Sequence, residues 1–422
     1  MRVLVLGRGG REHALVWKFS RSNRITGLFC APGNPGTAML GTNLDIAEDD
    51  FGGIVEAVNQ HGIDLVFVGP EAPLAAGVVD HLSLHGIAAI GPHRDAARLE
   101  GSKVFAKDFM TRYGIPTGAA STVTTPSELD AFLTDNPGPI VVKMDGLASG
   151  KGVAEFTRAA DAREFACAAL ENGPVLLEER LSGYEISAFV LTDGSGYRVL
   201  PPSADYKKAG EKGTGPNTGG MGAIAPVPWL EADTWNAIVS DIIEPSINGL
   251  VSSGLTYTGM LYIGVMVTSD GPKVLEYNVR FGDPETQVVL PLLRADLLDI
   301  CDAMLNKSLN RLRVETDDLF SIGIVVASSG YPGQYQKGKE VLIADSSAAR
   351  ISSRDIDRLI FHSGTVHGND GQLLTAAGRC FTCVCRDSDV VRARAGAYEL
   401  AQASQFEGAW FRGDIASRVF GS

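Results

Sequence analysis

The sequence contains few cysteines, lacks long apolar runs and has no excess of positive charge. Its 422 residues include six cysteines, and without a secretion signal these predict reduced thiols in a cytoplasmic protein. The amino-terminal apolar run is too short for a signal peptide, and no stretch approaches the ~18 apolar residues of a membrane-spanning helix. Fifty acidic residues outnumber 37 basic ones, for a net charge of −13, which argues against nucleic acids and acidic membranes as partners.

The composition otherwise indicates a folded protein with many tight turns. Hydrophobic residues make up 45% and charged residues 21%, as in globular proteins, and the length predicts about three domains. The 49 glycines follow no collagen-like period, so we expect them in turns and ligand-binding loops. Cys380, Cys383 and Cys385 lie close together, but no second pair completes a zinc site. We expect them to be small core residues.

Strands and helices alternate in the first hundred residues, which predicts an open parallel β-sheet. Apolar strands are predicted at 2–6, 27–31, 64–68 and 87–90, and helices after residue 10, near 54–60 and at 74–84. In such sheets ligands bind beyond the carboxyl ends of the strands. The turn residues collect at those ends, in segments 7–12, 31–34 and 69–74.

The turn at 7–12 is close to a dinucleotide-binding fingerprint but lacks its third glycine. That glycine belongs at position 12, which is Glu12, and no acidic residue ends a strand about 20 residues further on. Two interpretations stay open. The amides of Gly9, Gly10 and Arg11 bind a phosphate at the start of the helix, or the segment is a plain turn between strand and helix.

A second glycine-rich segment, 145–152, lies between predicted strands at 139–143 and 153–156. It does not match a phosphate-binding P-loop, because Asp145 and Gly152 stand where glycine and serine or threonine are required. A strand also follows instead of a helix. We therefore predict a flap whose amides cover phosphates, with Lys143 supplying a charge; a turn without ligand is the alternative.

Two later segments carry further polar patterns. Residues 201–228 contain six glycines and five prolines, which favours either a linker or a substrate loop. The strand at 274–280 places Glu276, Asn278 and Arg280 on one face. This set suits Mg²⁺ beside a phosphate, and an exposed polar face is the alternative. Asp283 and Pro284 predict the cap and the first residue of a helix. Short strands at 322–327 and 380–385 and a closing helix after 388 complete the chain.

Six longer motifs carry a resemblance to a known family. They are Gly-Gly-Arg-Glu-His-Ala (9–14), Gly-Pro-Glu-Ala-Pro-Leu (69–74), Leu-Glu-Gly-Ser-Lys (99–103), Asp-Gly-Leu-Ala-Ser-Gly-Lys-Gly-Val (145–153), Thr-Gly-Pro-Asn-Thr-Gly-Gly-Met-Gly-Ala (214–223) and Arg-Phe-Gly-Asp-Pro-Glu-Thr-Gln (280–287). Over essentially its whole length the chain resembles the glycinamide ribonucleotide synthetases of the ATP-grasp superfamily. Another ATP-grasp ligase would lack the 214–223 motif, and an inactive binding protein would be expected to have lost Lys143, Glu276 or Arg280.

The resemblance implies an α/β fold in three domains. These are an open parallel-sheet domain (1–101), an ATP-grasp domain (102–320) with a mobile flap at about 120–188, and a C-terminal mixed β domain with a closing helix (321–422). It implies the ATP-dependent ligation of glycine to 5-phosphoribosylamine through glycyl phosphate, the second step of purine synthesis. It also implies Mg²⁺ or Mn²⁺ as cofactor and a cytoplasmic monomer or weak homodimer.

The resemblance further assigns roles to individual positions. Arg280 and Lys143 are expected to be catalytic, and Glu276 and Asn278 to bind the metal. The expected ATP-binding residues are Lys103, Lys143, Gly146, Ser149, Gly150, Gly152, Glu178, Glu179, Leu181 and Glu185. The expected substrate-binding residues are Gly9, Gly10, Arg11, Glu12, Asn34, Pro70, Glu71, Asp205, Lys207, Gly219, Gly220, Met221, Arg280, Asp283 and Glu285. Arg8, Ser149, Ala204 and Tyr206 depart from the usual pattern, and the stretch 170–178 is short.

Overall fold

The computed structural model describes residues 1–147, 152–343 and 358–420. The first hundred residues form strands and helices in alternation: β1 (Arg2–Gly7), α1 (Gly10–Ser20), β2 (Gly27–Pro32), α2 (Pro35–Ala38), β3 (Thr42–Asn43), α3 (Phe51–His61), β4 (Leu65–Val68), α4 (Glu71–Ala76), α5 (Val78–Leu84), β5 (Ala89–Ile90) and α6 (Arg94–Gly101). The strands pair in parallel in the order β3-β2-β1-β4-β5. The predicted open parallel sheet is confirmed.

The central strand β1 explains both the sheet and the position of its turns. Val3, Leu4, Val5 and Leu6 are completely buried, as expected for a parallel strand covered on both faces. Because β1 lies between β2 and β4, the turns that follow all three strands meet at one edge. The amide of Gly33 donates to the carbonyl of Gly7 at 3.1 Å, and the amide of residue 69 to that of Leu6 at 3.1 Å.

The next part of the chain forms a small separate sheet with its own core. Its elements are α7 (Lys103–Arg112), β6 (Ala120–Val123), α8 (Pro126–Asp135), β7 (Ile140–Met144), β8 (Val153–Phe156), α9 (Arg163–Leu170) and β9 (Val175–Glu179). The strands run antiparallel in the order β6-β9-β7-β8. Val142, Leu177 and Leu129 lie in a hydrophobic cluster of this sheet and its helices. As predicted, β7 and β8 pair on either side of the glycine-rich segment.

A second antiparallel sheet follows, together with several short strands. The elements are β10 (Tyr184–Thr192), β11 (Tyr197–Val199), β12 (Ala204–Asp205), β13 (Lys208–Gly210), β14 (Thr214–Asn217), β15 (Gly222–Ala225), α10 (Ala232–Ile238), α11 (Glu244–Ser252), β16 (Gly259–Thr268), β17 (Gly271–Asn278), α12 (Glu285–Leu292) and α13 (Leu297–Leu305). The main sheet has the order β11-β10-β16-β17. The interpretation of 201–228 as a linker is wrong, because this segment forms β12 to β15.

The start of α12 also differs from the prediction. Pro284 is the capping residue and Glu285 the first residue of the helix, so proline does not occupy the first helical position. The carboxylate of Asp283 accepts a hydrogen bond from the side chain of Gln287 at 2.8 Å. It therefore contacts a side chain of the first turn and does not cap a backbone amide.

The last hundred residues complete a sheet that begins in the preceding part of the chain. Their elements are β18 (Phe320–Ser328), β19 (Arg358–His362), β20 (Thr365–His367), β21 (Leu373–Thr375), β22 (Arg379–Asp387), α14 (Val390–Ala403) and β23 (Ala409–Trp410). The sheet order is β12-β15-β18-β22-β19, with β23 beside β18. Cys380, Cys383 and Cys385 are buried, as expected of core residues. Every helix in the described ranges is too short or too polar to cross a membrane.

Candidate active site

A buried glutamate joins two lysines where the two antiparallel sheets meet. Glu178, on β9, is almost fully buried and forms ion pairs with Lys107 of α7 and Lys143 of β7. Lys143 also donates to the carbonyl of Leu275 on β17 at 3.1 Å. It therefore connects the β6-β9-β7-β8 sheet to the β11-β10-β16-β17 sheet. Burial lowers the pKa of Lys107, although Glu178 opposes this shift.

Three predicted ATP-binding residues, Glu178, Glu179 and Leu181, lie at the end of β9 and just beyond it. The amide of Glu179 donates to the carbonyl of Ala119 at 2.9 Å, so this amide is already used within the sheet. Its carboxylate pairs with Lys273 at 3.1 Å. Leu181 lies in the connection between β9 and β10 and is partly exposed.

The described ends of the glycine-rich flap are held by α7. Lys103 donates to the carbonyl of Gly146 at 2.8 Å, and the carboxylate of Asp145 accepts from the hydroxyl of Ser102 at 3.0 Å. The carbonyl of Gly152 accepts from Met144 at 2.7 Å. The predicted ligands Ser149 and Gly150 lie outside the described residues.

Four carboxylates surround Lys207. Its ammonium nitrogen lies 2.8 Å from Glu185 and 3.9 Å from Glu276. Burial opposes the charge of Lys207, but Asp205 and Glu185 outweigh it and hold its pKa well above the usual value. Burial raises the pKa of Asp205 to about 7 against the effect of Lys207, and Glu285 and Glu185 add to the rise. This cluster brings predicted ATP, metal and substrate ligands together.

The predicted metal ligands share one face, as expected from the period of the strand. Glu276 lies opposite Gly264 and Asn278 opposite Tyr262. The surrounding protein partly desolvates the carboxylate of Glu276, which alone would raise its pKa, but Lys207 and Lys143 outweigh this effect and lower the pKa. Glu285, nearby, accepts from the hydroxyl of Tyr262 at 2.9 Å through Oε1, and its buried Oε2 has no hydrogen-bond partner in the part of the chain that the structure describes.

This donor set fits Mg²⁺ or Mn²⁺. Hard divalent cations prefer carboxylate and amide oxygens, and Mg²⁺ is usually held by one or two carboxylates together with substrate phosphates and waters. The exposed fraction of the Glu276 side chain is 47%, so its carboxylate is accessible to a cation carried by a nucleotide.

Arg280 connects this cluster to the N-terminal sheet. Its Nε lies 3.2 Å from Glu71 and its Nη2 lies 2.8 Å from Glu100, while Nη2 also donates to Oδ1 of Asn278 at 3.1 Å. Burial opposes the charge, but Glu100 and Glu71 outweigh burial and raise the pKa of Arg280. Its ion-pair partners, Glu71 and Glu100, both belong to the N-terminal part of the chain.

The N-terminal turn, residues 7–12 between β1 and α1, encloses a buried carboxylate. Glu12 accepts from the amide of Gly9 at 2.6 Å and from Nε of Arg11 at 2.5 Å. A Cβ atom would lie 2.5 Å from the Glu12 side chain at Gly7 and 2.2 Å from it at Gly69. These glycines therefore make the space for Glu12. Of the three amides predicted to bind phosphate, that of Gly9 therefore already donates its hydrogen bond to Glu12.

Other predicted substrate ligands lie around the same turn. Asn34 donates to the carbonyls of Arg8 at 2.8 Å and of His362 at 3.0 Å, which connects the turn to β19. Pro70 directly precedes α4. The 219–221 turn lies against Pro284, since a Cβ atom at Gly220 would be 2.5 Å from its ring.

Comparisons with known proteins place the chain in a family. The models of the phosphoribosylglycinamide synthetase N domain, ATP-grasp (A) domain and C domain match residues 1–100, 101–286 and 321–418. The chain belongs to the phosphoribosylglycinamide synthetase family. The recognition made from the six motifs is confirmed, and the family is one of ATP-grasp ligases that use ATP with Mg²⁺ or Mn²⁺.

Individual relatives agree over their whole length. The chain is 41% identical to the phosphoribosylamine–glycine ligase of Caldanaerobacter subterraneus subsp. tengcongensis, covering 99% of this chain and 100% of that protein. It is 42% identical to that of Vibrio parahaemolyticus, covering 99% and 98%. The crystal structure of the Thermotoga maritima phosphoribosylamine–glycine ligase matches with a TM-score of 0.83 at 34% identity, covering 98% and 100%.

A more distant likeness concerns the fold alone. The biotin carboxylase domain of the Hydrogenobacter thermophilus 2-oxoglutarate carboxylase, solved with MgADP, has a TM-score of 0.73 at 16% identity. The match covers 97% of this chain and 91% of that one.

Sequence reasoning missed three residues that organise the site. Lys107 follows Lys103 by one helical turn, a spacing that places both on one face of α7, so its role could have been inferred. Glu100 lies inside a recognised motif, but nothing in the motif indicates that it pairs with Arg280. Arg379, an isolated arginine at the start of β22, carried no signal.

Proposed function

We propose that this protein ligates glycine to 5-phosphoribosylamine and converts ATP to ADP and phosphate. The product is glycinamide ribonucleotide, and the reaction is the second step of purine synthesis. The observation that carries the proposal is the position of Arg280, which contacts Glu71 at the N-terminal turns and Asn278 in the proposed metal site. The proposed sugar-phosphate site and the proposed phosphoryl-transfer site are therefore neighbours.

The chemistry proceeds in two steps that require this proximity. The carboxylate of glycine is a poor acyl donor, so it first takes the γ-phosphoryl group of ATP. The amine of phosphoribosylamine then attacks the carbonyl carbon of glycyl phosphate, and inorganic phosphate leaves. Water would hydrolyse glycyl phosphate, so closure of the glycine-rich flap has a chemical purpose.

The nucleotide lies between the two antiparallel sheets in this proposal. Lys103 and Lys143 bind the phosphates, and the glycine-rich segment 145–152 covers them. The 178–181 segment contacts adenine, and Glu185 binds the ribose. Glu276 and Asn278 would hold Mg²⁺ or Mn²⁺, which supplies charge neutralisation of the phosphates when bound. The guanidinium of Arg280 follows the transferring phosphoryl group with paired N–H donors.

The amine substrate lies at the edge of the N-terminal sheet. The amides of Gly10 and Arg11 at the start of α1 bind its phosphate, together with Lys207 and the 219–221 turn. Asp205, close to Lys207, contributes a carboxylate whose pKa burial raises to about 7. Asp283 and Glu285 complete the pocket from the start of α12.

We also propose the organisation of the protein in the cell. The domains are 1–101, 102–320 and 321–422, with the flap at about 120–188, and the enzyme is a cytoplasmic monomer or weak homodimer. The match of the three family models to 1–100, 101–286 and 321–418 supports these limits. Light scattering on the purified protein across a concentration range tests the oligomeric state.

One assay tests the proposed function directly. ADP release is measured with ATP, Mg²⁺, glycine and phosphoribosylamine, and then with each of the last two omitted. We expect sustained ADP formation only in the complete mixture, with glycinamide ribonucleotide formed in equal amount. ADP release that needs a different carboxylate or a different amine would reject the proposal and favour another ATP-grasp ligase activity.

A further inference from the structure

One arginine of the last hundred residues holds two segments of the proposed amine site together. Arg379 shares its Nη1 among the carbonyl oxygens of Gly219, Gly220 and Asp283 at 2.5, 3.3 and 2.9 Å. The same nitrogen lies 3.5 Å from Oδ1 of Asp283. One guanidinium therefore connects the 219–221 turn to the segment before α12.

The turn that Arg379 contacts is closely packed. Gly220 has a φ of +106°, which favours glycine. A Cβ atom at Gly219 would lie 2.8 Å from Cζ of Arg379, so a side chain there would displace the guanidinium. The hydroxyl of Tyr331 accepts from the amide of Gly219 at 3.0 Å. The backbone of the turn is thus held by two side chains from the last third of the chain.

The same turn is attached to the segment that carries Lys207. The amide and hydroxyl of Thr218 donate to the carbonyl of Lys207 at 2.7 and 2.8 Å. On the other side, Oδ2 of Asp283 lies 3.4 Å from the position of a Cβ atom at Gly9. The contacts of Arg379 therefore lie between Lys207 and the N-terminal turn, the two places proposed to hold the sugar phosphate.

We propose that Arg379 is a positioning residue for phosphoribosylamine. It fixes the 219–221 turn and Asp283 without touching the reacting atoms, and this inference rests on the proposed assignment of those residues to the amine substrate. A guanidinium suits this task because it is always charged and carries several donors in a rigid plane. The shorter side chain of lysine ends in an ammonium with three donors, so a lysine there should replace only part of these contacts.

The test uses Arg379→Met and Arg379→Lys in the full-length protein. We expect the KM for phosphoribosylamine to rise about tenfold or more in Arg379→Met and less in Arg379→Lys, while the KM for ATP stays within about twofold. Arg358→Met is the matched control, because Arg358 lies on β19 of the same sheet and forms an exposed ion pair with Glu399. The control should leave all Michaelis constants unchanged.

Tyr331→Phe gives an independent second variant. It removes only the hydroxyl that contacts Gly219, and we expect a smaller rise in the same Michaelis constant. An unchanged KM for phosphoribosylamine in Arg379→Met would overturn the inference, as would an equal rise for all three substrates together with a lower melting temperature. If Arg379→Met does not fold, unchanged constants in both Arg379→Lys and Tyr331→Phe would overturn it. A wild-type protein without phosphoribosylamine-dependent ADP release would reject the proposed function instead.

Discussion

Glu71, the first residue of α4, and Arg280, two residues beyond the end of β17, form an ion pair, with Oε2 of the glutamate 3.2 Å from Nε of the arginine. The same carboxylate oxygen lies 3.7 Å from Arg11. One carboxylate thus holds two arginines that belong to different parts of the proposed site. Any change in the orientation of Glu71 therefore affects both the amine-binding turn and the phosphoryl-transfer site.

Glu71→Gln tests the energetic importance of this pair. Burial opposes the ionised form, but Arg280 and Arg11 outweigh it and lower the pKa of Glu71 to about 2. Ionised Glu71 therefore stabilises the fold above its unfolded pKa of 4.5, and this contribution is lost as the pH falls toward 2. We expect Glu71→Gln to lower the free energy of unfolding by about 1–3 kcal/mol at pH 7. Denaturant unfolding should show this difference shrinking from pH 5 to pH 3.

Glu48→Gln is the control for this measurement. Glu48 pairs with the largely exposed Arg8 in the same part of the chain, and such surface pairs contribute about 0–1 kcal/mol. A loss of stability as large as that of Glu71→Gln would contradict our account of the buried pair.

Arg280→Lys separates catalysis from structure. A lysine keeps the charge, so the KM for ATP should change little, but it cannot present paired N–H donors to the phosphoryl oxygens. We expect a penalty of roughly 2–4 kcal/mol in the transition state, or about 30- to 1000-fold in turnover. The melting temperature should also fall, because contacts to Glu71 and Glu100 are lost. A destabilised enzyme with full turnover would show that Arg280 serves only the fold.

Glu276→Gln tests the metal site. The side chain is about half exposed and its one ion-pair contact among the described residues is to Lys207 at 3.9 Å, so the fold should remain intact. Turnover should be lost at ordinary Mg²⁺ concentrations, because an amide is a weaker ligand for a hard cation than a carboxylate. Glu399→Gln, on the exposed face of α14, is the control. Near-normal activity of Glu276→Gln would mean that the metal is bound elsewhere.

Asp205→Asn should have an effect on stability opposite to that of Glu71→Gln. The pKa of Asp205 rises to about 7 because of burial and the neighbouring Glu285 and Glu185. The folded state then binds a proton that the unfolded state releases between pH 4 and 7, so the wild type loses stability over this range. We expect the advantage of Asp205→Asn to grow by about 1–3 kcal/mol from pH 5 to pH 8. A constant difference across this range would show that Asp205 keeps an ordinary pKa.

Gly69→Ala tests the space around Glu12. The new methyl group would lie 2.2 Å from Oε1 of Glu12 and 2.7 Å from the carbonyl of Leu6. We expect a loss of about 1–3 kcal/mol from the crowding, together with weaker binding of phosphoribosylamine. Gly52→Ala in α3, where the nearest atom is 3.7 Å away, should be neutral or stabilising by up to about 1 kcal/mol. Equal stability of the two variants would contradict the packing described for Glu12.

The sequence predicted the elements better than the contacts between them. Four of the five strands of the N-terminal sheet lie within about two residues of their predicted positions, because a short apolar run such as Val3 to Leu6, followed by turn residues, is typical of a strand buried on both faces. The two-residue strand β3 was not predicted. The shared face of Glu276 and Asn278 followed from the period of a strand. Both inferences depend on neighbouring residues alone.

The contacts that shape the site join residues far apart in the chain. The space for Glu12 is provided by Gly69, and the partners of Arg280 are Glu71 and Glu100, so no local pattern could reveal either. The predicted start of α12 was wrong by one residue: Asp283, expected to cap the helix, instead accepts from the side chain of Gln287. The role of Arg379 depends on a turn formed by Gly219 and Gly220, and the composition of that segment indicated only a linker or a substrate loop.

The C-terminal sheet, of order β12-β15-β18-β22-β19, includes two strands, β12 and β15, that precede Phe320 in the chain, and β15 pairs directly with β18. A gene divided just before Phe320 would therefore separate two strands of one sheet. In the first fragment, β15 would lose the backbone hydrogen bonds that it makes with β18, and completely buried residues such as Ile224 would be exposed. An exposed edge strand of this kind promotes aggregation. In a chimaeric or divided version of this enzyme, residues 204–225 and the last hundred residues should therefore stay on the same polypeptide.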